Sequence, residues 1–278
     1  MKEVSMRYRL LAIDLDETLL NAESKISPRN KQAIREAVKR DVIITISTGR
    51  MYLTSIPYVK ELALNTDWPM INYQGALIKT TENGRVLYHR PLTHELAVAI
   101  AAVAEEEGEE ICAYIDERFY INRENRYSIY YRNRYDIPVE IVGRMDLFLE
   151  KEGRCPTKMT IFNWDGNFTE VKKILKDGYP GKFTMLKPHP FFLEFTHRQA
   201  TKGQALCRLA EELDIRREEI ISFGDSHNDL DMIQYAGLGV AVANACPEVL
   251  AAADLVTAAN TEDGVARVIE DYISAGLL

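Results

Sequence analysis

The sequence predicts an α/β fold with a doubly wound parallel sheet and an inserted α+β domain. Several short runs are apolar throughout, as in strands that are buried on both faces of a parallel sheet. Helical patterns alternate with these runs near both ends of the chain. The middle has half-alternating runs, which are typical of antiparallel strands with one polar face. We therefore expect a discontinuous core of residues 1–83 and 191–278, interrupted by an insert at 84–190.

The core strands are expected at continuous, β-branched runs. These are RLLAID (9–14), VIITIS (42–47), IISFGD (220–225), GVAVAN (239–244) and DLVTAA (254–259). Ser27 followed by Pro28 is a favourable helix start, and apolar residues follow it at helical spacing. A further helix is expected from Lys202, after which leucine and alanine recur at the same spacing.

The insert combines long helical patterns with shorter strand patterns. Helices are expected at THELAVAIAAVAEEE (93–107) and NFTEVKKILK (167–176), and strands at ICAYID, FYIN, KMTIFN, KFTML and FFLEF. One polar face on each strand indicates an antiparallel sheet with helices on one side.

Composition and charge exclude several classes of protein. The net charge of −8 argues against a general nucleic-acid binder, which normally has a basic face. No apolar run reaches the roughly 18 residues of a membrane helix. The start, MKEVSMRYRL, has no apolar segment before a cleavage site, so a signal peptide is not expected. We expect a cytoplasmic globular protein.

Cysteine and histidine give no metal or disulfide pattern in the sequence. The four cysteines (Cys112, Cys155, Cys207, Cys246) lack CxxC spacing, so we expect buried or incidental thiols, without a zinc site or disulfides. His227 is expected at the rim of a site without a catalytic role. The segment RFYINRENRYSIYYRNRY (118–135) has three interpretations: a solvated helix or hairpin, the lining of a phosphate-substrate pocket, or a nucleic-acid contact.

Reactive residue types gather where the core runs end. The set comprises Asp14, Asp16, Ser47, Thr48, Gly49, Arg50, Lys202, Asp225, Asn228 and Asp229. In an open α/β sheet, ligands bind beyond the carboxyl ends of the strands. Several carboxylates with neutral oxygens suit Mg²⁺, whereas a hydroxyl, an amide and a lysine stabilise a phosphoryl group. An aspartate near phosphorus can also attack it to form an aspartyl-phosphate.

Blocks of this sequence resemble the haloacid dehalogenase superfamily, and closely its Cof-type subfamily of sugar-phosphate phosphatases. The resembling blocks, in order, are DLDETLLN, ISPRNKQAI, ISTGR, NYQGALI, TKGQAL, GDSHNDLDMIQYAG, VAVANA and NTEDGVA. The resemblance extends over nearly the whole chain, from the first block at residue 14 to the last at residue 266. The resemblance implies a Rossmann-like core and a mobile α/β cap inserted between the second and third motifs.

The resemblance also implies catalytic roles for three residues. Asp14 would be the nucleophile. Asp16 would be the general acid that protonates the leaving oxygen and then the base that activates water. Lys202 would neutralise charge on the nucleophile and the phosphate together.

Binding roles follow from the same resemblance. Thr48 would hydrogen-bond the phosphoryl oxygens together with the Gly49 and Leu15 amides. Arg50 has two interpretations: a substrate contact or a structural salt bridge.

The metal site implied by the resemblance contains Mg²⁺, bound by Asp225, the Asp14 carboxylate and the backbone carbonyl of Asp16. Asn228 would contact the phosphate. Asp229 would orient Lys202 or a metal-bound water.

Two positions depart from the family pattern. The family usually has Gly after its second aspartate, where this chain has Glu17, which removes backbone freedom. The family's NGA block begins with Gln74 here. Neither position carries a catalytic group, so both bear on the substrate more than on the reaction.

The expected function is Mg²⁺-dependent hydrolysis of a small phosphorylated metabolite, by a monomer or homodimer without nucleic-acid or membrane partners. Mn²⁺ is the alternative metal. Two other functions stay open: a phosphomutase with the same catalytic groups, and a regulatory or nucleic-acid-binding protein that has lost activity. An ion-pumping ATPase is excluded because membrane helices are not expected.

Overall fold

The computed structural model describes residues 7–62 and 67–278, which form two compact units. The first unit contains the chain up to Arg50, Ser55–Tyr88 and Thr201–Leu278. The second contains Met51–Thr54 and His89–Ala200.

The strands of the described residues are, in chain order, β1 (Leu10–Asp14), β2 (Ile43–Ser47), β3 (Pro69–Asn72), β4 (Leu77–Thr80), β5 (Val86–His89), β6 (Glu110–Ile115), β7 (Arg118–Ile121), β8 (Val139–Ile141), β9 (Lys158–Phe162), β10 (Phe183–His189), β11 (Phe192–His197), β12 (Ile220–Gly224), β13 (Leu238–Ala241) and β14 (Leu255–Val256). The α-helices are α1 (Pro28–Val38), α2 (Tyr52–Leu62), α3 (His94–Glu106), α4 (Arg126–Tyr135), α5 (Met145–Glu152), α6 (Thr169–Gly178), α7 (Lys202–Glu212), α8 (Leu230–Tyr235), α9 (Pro247–Ala252) and α10 (Gly264–Ser274). Short helical turns follow β1, β3 and β12. The α/β class predicted from the sequence is confirmed.

The first unit is built on an eight-stranded sheet with the order β14-β13-β12-β1-β2-β3-β4-β5. Neighbouring strands are parallel from β14 to β3, and β4 runs antiparallel to β3. The chain builds outward from β1 in one direction through β2 and β3, and in the other through β12 to β14. The sheet order therefore reverses at β1, and such a switch point is where α/β sheets bind ligands.

The central strand β1 is buried on both faces, as its continuous apolar sequence predicts. Leu10 and Ala12 pack with Leu206 and Leu209 of α7, and with Met232 of α8. The residues that alternate with them along β1 are equally buried. The side chain of Ser27 caps α1, as expected from the sequence.

The second unit has a six-stranded sheet with the order β10-β11-β9-β6-β7-β8. Its pairings are antiparallel except for β7 with β8, which are parallel. Helices α3, α5 and α6 pack with one face of this sheet through a cluster that includes Tyr120.

Helix α4 corrects the expectation that all helices of the insert lie on one side. Phe119 precedes Tyr120 on β7 and points to the opposite face, because successive strand residues alternate. Its ring packs against Tyr127 and Tyr131 of α4. The Arg- and Tyr-rich segment is thus a strand followed by a helix that covers the second face.

The division between the units falls later than the expected boundaries at residues 84 and 190. Strand β5 extends the first sheet to His89, and β11 pairs with β9 and β10 in the second sheet. Both expected boundaries lie close to short strands, and local sequence does not determine which sheet such a strand joins.

Candidate active site

The candidate site lies at the carboxyl ends of β1 and β12, where the sheet order reverses. Asp14 is the last residue of β1, and Asp225 directly follows β12. Both side chains are buried. The turn Leu15–Leu19 leaves β1 at this point, and the turn His227–Asp229 follows Asp225. The two strand ends thus bring together acids that are 211 residues apart in the sequence numbering.

Lys202 reaches this point from the first turn of α7. The Thr201 side chain caps the helix by accepting the Gln204 N–H. Gly75 lies against Thr201: its φ is +98°, and a Cβ there would overlap the Thr201 carbonyl. This close approach requires glycine. The Lys202 side chain is fully buried and donates to Oδ1 of Asp14 and to Oδ1 of Asp229, both at 2.5 Å.

Asp229 fixes the turn that follows β12. While its Oδ1 accepts from Lys202, its Oδ2 accepts the backbone N–H groups of Asp225 and Ser226, both at 3.1 Å. The predicted interaction of Asp229 with Lys202 is present in this geometry. The same carboxylate also sets the position of Asp225.

Thr18 is a site residue to which the sequence analysis assigned no role. Its Oγ1 donates to Oδ1 of Asp225 at 2.8 Å, and its side chain is fully buried. The signal in the sequence is a hydroxyl residue two positions after Asp16, within the block DLDETLLN.

Negative charge exceeds positive charge in this cluster. One oxygen from each of Asp14, Asp225 and Asp229 lies within 4.8 Å of the others, and Lys202 supplies one ammonium. Burial, followed by the charge of Asp229, raises the pKa of Asp14 well above its ordinary value despite the opposing effect of Lys202. Burial and Asp229 likewise raise the pKa of Asp225 to about 6. Burial disfavours the ammonium, yet Asp14 and Asp229 raise the pKa of Lys202 above its ordinary value.

The excess negative charge of the cluster raises the question of whether these residues fit a cation. A buried carboxylate is costly unless it is paired, and the single ammonium already has two carboxylate partners. All three acids offer oxygen, the ligand type that Mg²⁺ and other hard cations prefer. The donor set therefore fits a divalent cation between Asp14 and Asp225.

Asp16 has surroundings unlike those of Asp14. Its side chain is 50% exposed and forms a two-point ion pair with Arg50. Arg50 Nε lies 2.7 Å from Oδ2, and Nη2 lies 2.5 Å from Oδ1. Of the two interpretations of Arg50, the structure thus contains the salt bridge, and its partner is a predicted site residue.

Gln74 contacts three residues that the sequence predicts to bind the phosphoryl group, namely Thr48, Gly49 and Asn228. Its Oε1 accepts from Nδ2 of Asn228 at 2.9 Å, and its amide covers Gly49 so closely that a Cβ there would overlap it. The Gln74 backbone N–H donates to the Thr48 carbonyl at 3.2 Å. The Thr48 side chain is buried, and its Oγ1 accepts the N–H of Arg50 at 3.2 Å. Gln74, noted only as a departure from the pattern, therefore connects the strand ends.

Both departures from the family pattern have left-handed backbone conformations. Glu17 has φ 59° and ψ 3°, and Gln74 has φ 60° and ψ 24°. Such conformations cost a non-glycine residue about 1–2 kcal/mol. The Glu17 carbonyl accepts from Nδ2 of Asn244 at 2.8 Å, so a contact from outside the turn supports this conformation.

Fold and site together define a doubly wound α/β protein with a buried lysine–carboxylate cluster where the sheet order reverses. The sequence model of haloacid dehalogenase-like hydrolases matches residues 11–269, and the chain belongs to this family. It is similar to phosphatase YwpJ of Bacillus subtilis (strain 168), with 30% identity over 293 residues, covering 95% of this chain and 100% of that protein.

Solved structures agree with this assignment. A haloacid dehalogenase-like hydrolase from Bacteroides thetaiotaomicron has a TM-score of 0.85 and 28% identity, covering 95% of this chain and 99% of the other. A subclass IIB sugar phosphatase of the superfamily has a TM-score of 0.77 and 27% identity, covering 97% of this chain and 100% of the other. The protein is a phosphatase that acts on a phosphoric monoester. No helix in residues 7–62 or 67–278 is long and apolar enough to span a membrane.

Proposed function

We propose that this phosphatase hydrolyses a small phosphorylated metabolite, such as a sugar phosphate, through an aspartyl-phosphate on Asp14, and that it requires Mg²⁺. The observation that carries the proposal is the buried Lys202 ammonium, which contacts Asp14 and Asp229 at 2.5 Å beside a third carboxylate. A carboxylate held in place by a lysine at a strand end is prepared to attack phosphorus without reorganisation.

In the first step, Oδ2 of Asp14 attacks the phosphorus, while Lys202 holds Oδ1. The bond from phosphorus to the ester oxygen breaks, and Asp16 gives its proton to that oxygen. The Thr48 hydroxyl and the Gly49 and Leu15 amides bind the phosphoryl oxygens. Asn228 contacts the same group and is oriented by its hydrogen bond to Gln74.

In the second step, Asp16 removes a proton from water, and the resulting hydroxide attacks the phosphorus of the aspartyl-phosphate. Phosphate leaves, and the Asp14 carboxylate is restored. Both steps require the Asp16 carboxyl to turn away from Arg50, which otherwise holds both of its oxygens. Its 50% exposure leaves room for this rotation.

The Mg²⁺ ion would be held by the carboxylates of Asp14 and Asp225 and by the Asp16 backbone carbonyl, with Thr18 and Asp229 orienting Asp225. When bound, it would neutralise charge between nucleophile and phosphate. We also infer that the inserted unit, residues 89–200, acts as a cap that selects the leaving group. Exchanging it for the insert of a relative should then change the preference among phosphate esters.

The decisive test distinguishes the role of Asp14 from the role of Asp16. Asp14→Asn should reduce phosphate release to background. Asp16→Asn should lose about 10²–10⁴-fold with an alkyl phosphate, whose leaving oxygen needs a proton. With an aryl phosphate, whose leaving group needs little protonation, Asp16→Asn should accumulate a phosphoryl group on Asp14 because nothing activates water. Mass spectrometry of peptides would locate this adduct.

Asp41→Asn is the matched control, because Asp41 is exposed and lies in the turn before β2. It should retain wild-type turnover. An adduct on Asp16, or turnover in Asp14→Asn, would show that the roles are assigned wrongly. A requirement for a bisphosphate activator would instead indicate a phosphomutase.

A further inference from the structure

A second group of potential metal ligands lies in the first unit, and its donor atoms differ from those of the carboxylate cluster. The group consists of His227, Cys246 and Glu248, and one ligand atom from each lies within 4.8 Å of the other two. His227 Nε2 is 3.4 Å from Oε2 of Glu248. His227 and Glu248 are exposed, and Cys246 is half-buried, so solvent and ions can reach the group.

Two loops of the fold bring these residues together. His227 begins the turn that follows β12, whereas Cys246 directly precedes α9 and Glu248 lies in its first turn. The loops are joined by a hydrogen bond from the Cys246 N–H to the Asp225 carbonyl at 2.8 Å. Pro247 begins α9 with a fixed φ, so the direction of the chain between Cys246 and Glu248 is set by backbone structure.

The three donors match a borderline-soft cation. Thiolate, imidazole and carboxylate are the usual ligands of Zn²⁺, and three protein ligands leave a fourth, open position. Tetrahedral coordination with bonds of about 2.0–2.3 Å places ligand atoms about 3.3–3.8 Å apart. The present spacing is at most 4.8 Å, so rotation of the two exposed side chains is sufficient.

We propose that His227, Cys246 and Glu248 bind a transition-metal dication, Zn²⁺ or an ion of similar preference, at a site separate from the carboxylate cluster. The sequence predicts incidental cysteines and a rim histidine, and the proposal goes beyond that expectation. Cys246 and His227 are 19 positions apart in the sequence numbering and meet only through neighbouring strand ends. A bound ion would tie the turn that carries Asp225, Asn228 and Asp229 to the loop before α9.

Co²⁺ provides a direct readout, because a thiolate ligand gives a charge-transfer absorption that oxygen ligands do not give. We expect this absorption when the intact protein is titrated with Co²⁺, and its loss when Zn²⁺ is added. Cys246→Ser should abolish it, whereas Cys207→Ser, which removes another half-buried thiol of the same unit, should leave it unchanged. Asp14→Asn should also retain the absorption, because the two sites share no ligand.

Competition with a chromogenic chelator would measure Zn²⁺ affinity in the presence of excess Mg²⁺, which occupies the oxygen site. His227→Gln and Glu248→Gln should each weaken Zn²⁺ binding at least tenfold, while phosphatase activity with Mg²⁺ is retained and reports that the variants are folded. The proposal is overturned if the wild type gives no thiolate absorption with Co²⁺, or if the absorption survives Cys246→Ser. Unchanged Zn²⁺ affinity in both of the other variants would overturn it as well.

Discussion

Each unit of the protein contains a buried lysine that pairs with carboxylate, but the two lysines differ in charge balance. Lys202 in the first unit is fully buried and contacts two carboxylates, with Asp225 close by. Lys158 in the second unit is 5% exposed and donates to Glu194 at 2.6 Å. Burial disfavours both ammonium groups, yet neighbouring carboxylates raise the pKa of each above its ordinary value.

The location of each lysine explains the difference. Lys158 lies on β9 beside β11, within the six-stranded sheet, and one ammonium balances one carboxylate there. Lys202 lies where strands end, and its three neighbouring acids leave a negative excess. A balanced buried pair can be complete by itself, whereas an unbalanced cluster requires a further cation. Charge balance, more than burial, therefore distinguishes the candidate catalytic lysine from the structural one.

The largest expected effect is that of Lys202→Met on turnover. The substitution leaves the phosphate facing uncompensated carboxylates and releases Oδ1 of Asp14. Removal of one group that stabilises developing charge typically costs about 10²–10³-fold in rate. Steady-state phosphate release at saturating Mg²⁺ would measure the loss. Lys39→Met is the control, because Lys39 is 67% exposed in the first unit. Activity of Lys202→Met within threefold of the wild type would contradict the assigned role.

On stability, the largest expected effect is that of Lys158→Met. Removing one partner of a buried ion pair typically costs about 3–5 kcal/mol, because the remaining charge stays buried and unpaired. Adding Glu194→Leu should recover most of this loss, since an apolar pair of similar volume is often neutral. Urea unfolding of the single and double variants would measure both values. A double variant no more stable than the single one would show that the pair is not balanced as described.

A smaller effect is expected when Mg²⁺ binds to the unbalanced cluster. At a concentration 100 times its dissociation constant, Mg²⁺ should stabilise the folded protein by about 2.7 kcal/mol. Asp225→Asn should remove most of this stabilisation, whereas Glu194→Gln should leave it unchanged. Thermal unfolding with chelator and with Mg²⁺ would measure the shift. Chelation should also abolish phosphate release. Full activity after exhaustive metal removal would refute the metal requirement.

Much of the core could be predicted because short stretches of sequence determine its strands and the residues at their ends. The buried strand β1 has an unbroken apolar sequence, and the acids Asp14 and Asp225 follow such runs directly. Parallel strands bring their carboxyl ends to one edge, so the meeting of Asp14 with Asp225 follows from the fold class. The boundary between the two units was less predictable, since nothing in the short strand β5 specifies which sheet it joins.

Contacts that depend on tertiary placement could not be predicted. The ion pair of Arg50 with Asp16 and the hydrogen bond of Asn228 to Gln74 connect different strand ends. Their geometry depends on turn conformations that single residue types do not specify. Glu17 is an example, because its left-handed backbone contradicts the usual preference of glutamate.

The smallest expected effect concerns Glu17, which places both backbone strain and negative charge beside the unbalanced cluster. Its φ is 59°, and its charge contributes to the raised pKa of Asp225, after burial and Asp229. The side chain itself is exposed. Two substitutions separate the two effects: Glu17→Gly removes strain and charge, whereas Glu17→Gln removes the charge alone.

We expect Glu17→Gly to stabilise the protein by about 1 kcal/mol. A left-handed conformation costs a non-glycine residue about 1–2 kcal/mol, and glycine avoids this cost. Glycine also loses more conformational entropy on folding, which offsets part of the gain. Glu17→Gln should give a smaller gain, since an exposed charge is screened by solvent. Urea unfolding in chelator and at two salt concentrations would measure both. Glu23→Gly, at an exposed residue outside the left-handed region, should not stabilise. If Glu17→Gln matches Glu17→Gly at low salt and loses its gain at high salt, charge dominates. This result would show that the charge of Glu17, in the exposed turn, adds to the excess negative charge of the buried cluster.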